Sequence, residues 1–471
     1  MAYVAYVTTL KNLRKHPNAD RLQLAECFGN TVCVSMEYVA DQVGVYFPTD
    51  GQLSMEFCEQ NGLLAVYVDG VNVSGGYMDA EKRNVKTIKL RGEKSDGLFL
   101  PLTCLTYTGV DIDTIKVGDT ISVVNGHEIC TKYIPKRNSR TRSNAEGNRT
   151  RKKKVAVAPL FMEHADTEQL AYNLSAFKPG DLIEITLKMH GTSQRTANLP
   201  RFDGYKRTLM DRILRREGVA QYNWGSVSGT RRVVLADFDG GYYGSNEFRE
   251  QHSKFFDGKL RKGETVYYEV VGFTTTGAPI MGDADNKKLN DKDFVKQYGK
   301  TTTFSYGCSP TGKKTMYGRD DQGNFEIETT VPQSDIYVYR MTMTNEDGDV
   351  VEYTPDFMRY RCEQMGVKTV PVFAQFIIPE FYQLPDDVGS PQAIDAGEYV
   401  RKIAEDFYDG PDPIGKTHVR EGVVVRIVNR PKFCAYKHKN FSFKVLEGII
   451  KEVASAPDME EAQDVAENGE E

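Results

Sequence analysis

Lys188 closes an alternating apolar run, DLIEITLKMHGTSQ, that breaks into a polar turn at Gly191. A lysine at the end of a buried strand is costly without a task. Freed of its proton, its amine is a nucleophile. Lys437 and Lys439 stand two apart in AYKHKNFSFK, hence on one face of a strand. Such a pair either solvates an exposed face or holds negative charge building on phosphates. Glu269 in YYEVVG and Glu421 in EGVVVR sit inside apolar runs. A carboxylate in such a place needs a lysine, a ribose hydroxyl or a metal beside it; two salt-bridged strand ends are the plainer alternative. His190, two residues after Lys188, is either a satisfied turn histidine or a contact to phosphate or metal-bound water. Gly191 is expected to permit a close backbone approach.

These residues need strands to carry them and a domain to bury those strands. At 471 residues the chain has room for two domains and a linker. Apolar content of 40% and charged content of 27% are ordinary for a globular protein. Residues 1–131 show short apolar alternations, VAYVTTL, TVCVSM and GVYFPT among them, punctuated by Gly, Asn and Asp. This pattern predicts a compact β domain or barrel. Residues 132–158 form a basic linker, with ten Lys/Arg and one acid between Lys132 and Lys154. It reads either as a solvated hinge or as a strap for a polyanion. Residues 159–455 hold the chemistry, and 456–471 form an acidic tail expected to be disordered. Eight scattered cysteines without a CxxC pair read as reduced thiols. No run resembles a membrane span and the N-terminus lacks a signal pattern, so a cytoplasmic protein is expected, in a host-cell cytoplasm were the chain viral.

Five segments occur in a telling order: DLIEITLKMHGTSQ, TVYYEVVG, DIYVYRMT, REGVVVRI and AYKHKNFSFK. They resemble nucleotidyl motifs I, III, IIIa, IV and V of the covalent nucleotidyltransferase superfamily of ligases and capping enzymes. KMHGTS has the KxHG form of the RNA ligase 2 group, and KHKN has that group's Lys-x-Lys spacing. Two earlier segments, KHPNADRLQLAE and LRGEKSDGLFLPL, resemble the tRNA-binding OB domains appended to some aminoacyl-tRNA synthetases. One branch of the RNA ligases carries such a domain at its N-terminus. Only 27 residues follow Lys444, too few for the second barrel that DNA ligases and capping enzymes usually place there.

The resemblance implies an α+β fold: an N-terminal OB-like β-barrel, then a nucleotidyltransferase domain of antiparallel sheets with flanking helices. It implies an ATP-dependent RNA ligase, probed against three alternatives: a capping guanylyltransferase, a DNA ligase, or a non-catalytic RNA-binding protein. Lys188 is the lysine that takes AMP, with His190, Lys437 and Lys439 in catalysis. Leu187, Gly191, Glu269, Tyr337 and Glu421 join the two lysines around the nucleotide. Glu421 and Glu269 serve Mg²⁺ or Mn²⁺. NWGSVSGTRRVVL offers Arg231 or Arg232 to the sugar or phosphate. Tyr337 and Tyr339 share a strand face, with Tyr337 preferred for stacking on adenine and Ile336 the alternative register. In the OB-like region Lys82, Arg83, Lys86, Lys89 and Arg91 are the RNA-binding candidates, while His16 is expected to set a turn. The partner implied is RNA with 5′-phosphate and 3′-hydroxyl ends, bound by a monomer. The segment 282–330 reads as an insertion, either a lid or an RNA-contacting flap. No GxxxxGK[ST] loop occurs, so the chain is not expected to repair RNA termini itself.

Overall fold

The computed structural model describes residues 3–69, 71–133, 158–164, 167–214, 218–231, 234–235, 247–317, 326–381 and 394–452. The basic run from 134 to 157, the tail beyond 452 and Arg232 lie outside them. Contacts divide the chain into two compact units, Met1–Pro135 with Lys444–Ile449, and Lys136–Phe443 with Ile450–Glu471. The chain is α+β, with antiparallel sheets and few helices. No helix among the described residues is long and apolar enough to cross a membrane.

In the first unit, alternating residues of Ala5–Thr9 and Val43–Phe47 supply Val7, Val45 and Phe47 to a core completed by Leu53, Phe57, Leu105 and Ile129. These strands lie in a four-stranded antiparallel sheet, ordered Leu98–Pro101, Val43–Phe47, Ala5–Thr9, Thr120–Ile121. The single closed barrel expected from the sequence is not formed among the described residues. A separate three-stranded sheet holds Lys11–Lys15, Leu22–Cys27 and Asn30–Ser35, and the remaining strands pair two by two. The ladder breaks at Leu10, whose N–H and carbonyl turn to Gln42 and Asp41, and Asn12 follows with φ 52°. His16 sets a turn: its Nδ1 accepts from the Asn18 N–H at 3.0 Å, and its Nε2 meets the Leu90 carbonyl at 3.1 Å.

The second unit is built on two sheets. The five-stranded sheet runs Glu168–Gln169, Ala435–Lys439, Gly422–Ile427, Leu182–Lys188, Val372–Ile377, and all pairs but the first are antiparallel. Period-two alternation gives this sheet two unlike faces. Ile183, Ile185, Val423, Val425 and Ile427 turn to the helix Ala396–Tyr408, which buries Ala396, Val400 and Ala404 at four-residue spacing against them. Each such side chain contributes about 1.5–3 kcal/mol when fully buried. Asp395 caps that helix by accepting from the Glu398 N–H.

The opposite face carries Glu184, Arg426, Lys188, Lys437 and Lys439. It looks toward a six-stranded sheet, where Arg426 bonds the Tyr353 carbonyl at 2.9 Å and lies 3.8 Å from Glu352. That second sheet runs Val234–Leu235, Val219–Gly229, Thr192–Lys206, Glu264–Gly272, Ser334–Thr344, Val350–Glu352. The turn from Lys188 to Thr192 passes the chain from one sheet to the other.

Candidate active site

Sheet register assembles the first part of the site. Lys188 pairs with Gly422, and Gly422 pairs with Lys439, so the two lysines face each other across a residue with no side chain. Gly422 is obligatory there: its φ is 147°, and a Cβ would lie 2.1 Å from the His438 carbonyl oxygen. Glu421, one residue earlier, places its carboxylate between the lysines. Its Oε1 is 2.7 Å from Lys188 Nζ and 3.4 Å from Lys439 Nζ. Its Oε2 lies 3.6 Å from His190 Nδ1 and has no hydrogen-bond partner among the described residues. Burial alone would raise the Glu421 carboxyl, but the charges of Lys188 and Lys439, with His190 alongside, hold it well below the usual carboxylate range. Lys437, two residues from Lys439 and opposite Val424, continues the same face. The middle residue of KHK, His438, turns to the other face and stacks on Tyr408 at 4.8 Å.

The Glu264–Gly272 strand supplies the second part. Glu269 Oε1 accepts the Gly191 N–H at 3.1 Å. Glu269 pairs with Ser193 on one side and Tyr337 on the other, so these three share a sheet face. Gly191 was expected to make way for a nucleotide, yet the crowding comes from protein. A Cβ there would lie 2.4 Å from the Val270 carbonyl oxygen and 2.9 Å from Glu269 Cγ. Close approach of the neighbouring strand is what demands glycine.

Other candidates fall variously. The Leu187 side chain is buried, with its N–H bonded to the Pro371 carbonyl, so only its main chain could face a nucleotide. Ile336 pairs with Val270 and therefore points away from the Glu269 face, which removes the alternative register. Tyr337 lies on the Glu269 face but is buried, with Lys368 Nζ 5.6 Å from its ring centroid. Tyr339 does not simply alternate with it: the ladder steps from Val338 to Arg340 across Tyr268 and Tyr267, leaving Tyr339 as a bulge residue. Its hydroxyl meets Ser193 Oγ at 3.0 Å. Arg231 is half-buried, and its carbonyl accepts the His164 N–H. In the first unit the Arg83 guanidinium donates to the carbonyls of Leu53, Ala80 and Glu81, a structural duty. Lys82, Lys86 and Lys89 are partly buried, Lys89 on the strand Thr87–Leu90, and exposed Arg91 occupies the turn after it with φ 46°.

Three residues that the sequence reading passed over belong to the same neighbourhood. Arg249 is fully buried and donates to the Ser193 carbonyl at 3.1 Å and to Thr192 Oγ1 at 2.6 Å, anchoring the strand that leaves Gly191. Tyr306 Oη accepts the His190 N–H at 2.7 Å. Burial first, then the charges of Asp412, Glu421 and Glu269, keep that phenol far above the usual tyrosine range and therefore neutral. His418 is fully buried, and burial lowers its ring from the ordinary histidine value. A buried arginine behind the motif I turn leaves no mark in local periodicity. His418, three residues before Glu421 in HVREG, was the only one of the three with a visible cue. In the segment 282–330, Phe294, Phe304, Tyr306 and Cys308 are buried, and Lys313–Tyr317 pairs with Glu326–Thr330.

No protein-family model and no curated protein matches this chain. Solved structures of the RNA ligase of Naegleria gruberi are similar to it in fold. A mutant with ATP and Mn aligns at TM-score 0.52 and 16% identity, over 94% of this chain and 97% of that one. A mutant with AMP and Mn aligns at 0.53 and 16%, over 93% and 97%, and an apo mutant at 0.52 and 16%, over 93% and 97%. At such identity the likeness is one of architecture. This chain shares the fold of those RNA ligase structures.

Proposed function

We propose that this protein is an ATP-dependent RNA ligase that joins 3′-hydroxyl and 5′-phosphate RNA ends through AMP held on Lys188, acting as a cytoplasmic monomer in RNA repair. One observation carries it: Lys188, Lys439 and His190 surround the buried carboxylate of Glu421, in segments that follow the order of the nucleotidyl motifs. The Naegleria gruberi ligase of the same fold was solved with ATP and Mn. The N-terminal unit is the OB-like RNA-binding module in this proposal, with Lys82, Lys86, Lys89 and Arg91 toward the RNA.

The Lys188 amine, uncharged, attacks the α-phosphorus of ATP. A phosphorus–nitrogen bond forms, the bond to the β-phosphate oxygen breaks, and pyrophosphate leaves. A 5′-phosphate oxygen of RNA then displaces the lysine and takes AMP. In the last step the 3′-hydroxyl attacks that phosphate, forms the phosphodiester and expels AMP. Lys437 and Lys439 hold the charge that develops on the phosphates. The Lys188 side chain is 22% exposed, which leaves a nucleotide access to the amine. In this proposal Glu269 serves the ribose and Tyr337 the adenine, with Arg231 or Arg232 toward the sugar or phosphate.

The residues also fit a divalent cation. The described residues contain no group of three or more His, Cys, Asp or Glu gathered as a metal cage. Glu421 Oε2, however, is a buried acceptor lacking a hydrogen-bond partner. That suits hydrated Mg²⁺ or Mn²⁺, which keeps most of its waters. Glu421 and Glu269 would hold the ion, which neutralises phosphate charge when bound.

Incubation with ATP labelled at the α-phosphate is expected to leave label on the polypeptide, and Lys188→Ala to leave none. Label retained by Lys188→Ala would overturn the assignment. GTP in place of ATP as the label donor, or sealing of DNA nicks but not RNA, would move the protein to the capping or DNA ligase class.

A further inference from the structure

The stretch between the Glu269 and Tyr337 strands enters the site from the side. Phe304 and Tyr306 are each 3% exposed. Tyr306 Oη accepts the peptide N–H of His190 at 2.7 Å, across 116 positions of chain. That amide belongs to the turn linking Lys188 to Thr192. The next amide, Gly191, is held by Glu269. Two consecutive N–H groups of this turn thus end on side chains, and Tyr306 lies outside the nucleotidyl motifs.

Tyr306 is braced from behind. Its φ of 47° is unfavourable for a bulky residue, so its surroundings must impose it. The His418 ring meets the Tyr306 ring at 4.6 Å and Phe304 at 5.2 Å, and Phe304 meets His190 at 4.6 Å. Gly415 lies so close that a Cβ would come within 2.9 Å of Gly307 N and 3.3 Å of the Tyr306 carbonyl carbon. Asp412 folds this loop: its Oδ2 accepts from the N–H groups of Ile414 at 3.1 Å and Gly415 at 2.5 Å, and its own N–H donates to the His418 carbonyl at 2.8 Å. Three residues beyond His418 the chain reaches Glu421. One loop therefore supports both Tyr306 and the carboxylate that Lys188 faces.

We propose that Tyr306 is a positioning residue for the lysine chemistry: through the His190 peptide it fixes the turn that aims Lys188, and the loop 411–419 couples that turn to Glu421. This rests on Lys188 as the nucleophile. The hydroxyl acts through backbone and touches no substrate.

The test is single-turnover transfer of label from α-labelled ATP to the full-length chain with Mg²⁺, over a range of ATP concentrations. Tyr306→Phe keeps the ring and its packing but strands the buried His190 N–H. The maximal labelling rate is expected to fall about ten- to a hundredfold, as for a reacting group slightly misplaced. Half-saturating ATP should stay within about twofold, the signature of a group that acts after binding. Gly415→Ala presses on the Tyr306 backbone without removing any group, and is expected to give the same split with a smaller loss. An unchanged maximal rate, or a loss lying wholly in half-saturation, overturns the proposal. Should Tyr306→Phe not fold, Gly415→Ala decides by the same criterion. A wild-type chain that takes no label overturns the lysyl-AMP assignment itself, and the positioning role with it.

Discussion

The two flanks of Glu421 are built by different means. On one flank three adjacent strands bring Lys188, Gly422 and Lys439 into a single row, and pairing alone decides which residues meet. On the other flank Tyr306 and His418 arrive from loops far apart in sequence, held by ring edges, a left-handed residue and a carboxylate-folded turn. A strand row tolerates little local error, because a one-residue slip turns every side chain to the opposite face. A loop brace can shift by fractions of an ångström without losing its fold. Damage to the row should therefore remove both stability and chemistry, whereas damage to the brace should remove chemistry first.

The largest effect is expected from Glu421→Gln. It leaves Lys188 and Lys439 beside a neutral amide in a buried position, and breaking a buried ion pair costs about 3–5 kcal/mol. The labelling rate should fall by about 10²–10³ as preorganised charge is lost. Urea unfolding and labelling kinetics on one preparation would check both. A variant of normal stability would mean that the row does not depend on its central charge.

Gly422→Ala comes next and attacks the row sterically. A Cβ placed 2.1 Å from the His438 carbonyl oxygen forces the Lys439 strand aside, at an expected cost of about 2–4 kcal/mol. Thermal melting measures it. Gly415→Ala, its counterpart in the brace, should melt closer to wild type because the contact at 2.9 Å is looser. The reverse order would contradict the division between row and brace.

That division also separates what could be foreseen from what could not. Lys188, Lys437 and Lys439 could be put on one face because alternation in LIEITLK and AYKHK assigns faces directly, and the sheet preserves those faces. Glu421 precedes the strand Gly422–Ile427 and meets the lysines against that alternation, at the turn where Gly422 has φ 147°. The α+β class came from the resemblance that the ordered motifs carry. Gly191 also answers to a need invisible in the sequence: crowding by Val270 comes from a strand about eighty residues away, and local spacing cannot report it. Tyr339 is a bulge residue, yet its hydroxyl still reaches Ser193 on the face of Glu269 and Tyr337. The described strands of the first unit form separate sheets, and the run through Leu10 and Asn12, which reads as continuous, is interrupted there. Arg83 carries a duty the sequence does not show: φ 45° and guanidinium bonds to three carbonyls. Tyr306 and Asp412 carry ordinary residue types in loops, where nothing periodic points to a partner.

A gentler probe of the row is pH. The Glu421 carboxyl lies below its unfolded value of 4.5 because Lys188 and Lys439 outweigh the burial that raises it. Such a group binds fewer protons when folded than when unfolded. Its stabilisation is therefore complete above the unfolded value and is lost as pH falls through the folded one. The stability gap between wild type and Glu421→Gln should hold steady at neutral pH and narrow progressively below about pH 4.5. A gap constant down to pH 3 would show that the lysines do not set that carboxyl.

The smallest effect is expected at the residue most easily mistaken for part of the chemistry. His438 stands between Lys437 and Lys439, yet alternation turns it to the helix side, stacked on Tyr408 at 4.8 Å and 14°. Glu405 Oε1 lies 3.9 Å from its Nε2, an ion pair only when the ring is protonated and on the helix side rather than among the lysines. Phenylalanine preserves the stack and nearly the volume, so His438→Phe should change stability by less than about 1.5 kcal/mol and leave the labelling rate at wild type. The flanking lysines changed to alanine should each lose labelling strongly under the same assay. Equal losses at all three positions would mean that the strand does not keep its period through the motif, and the row itself would then be misassigned.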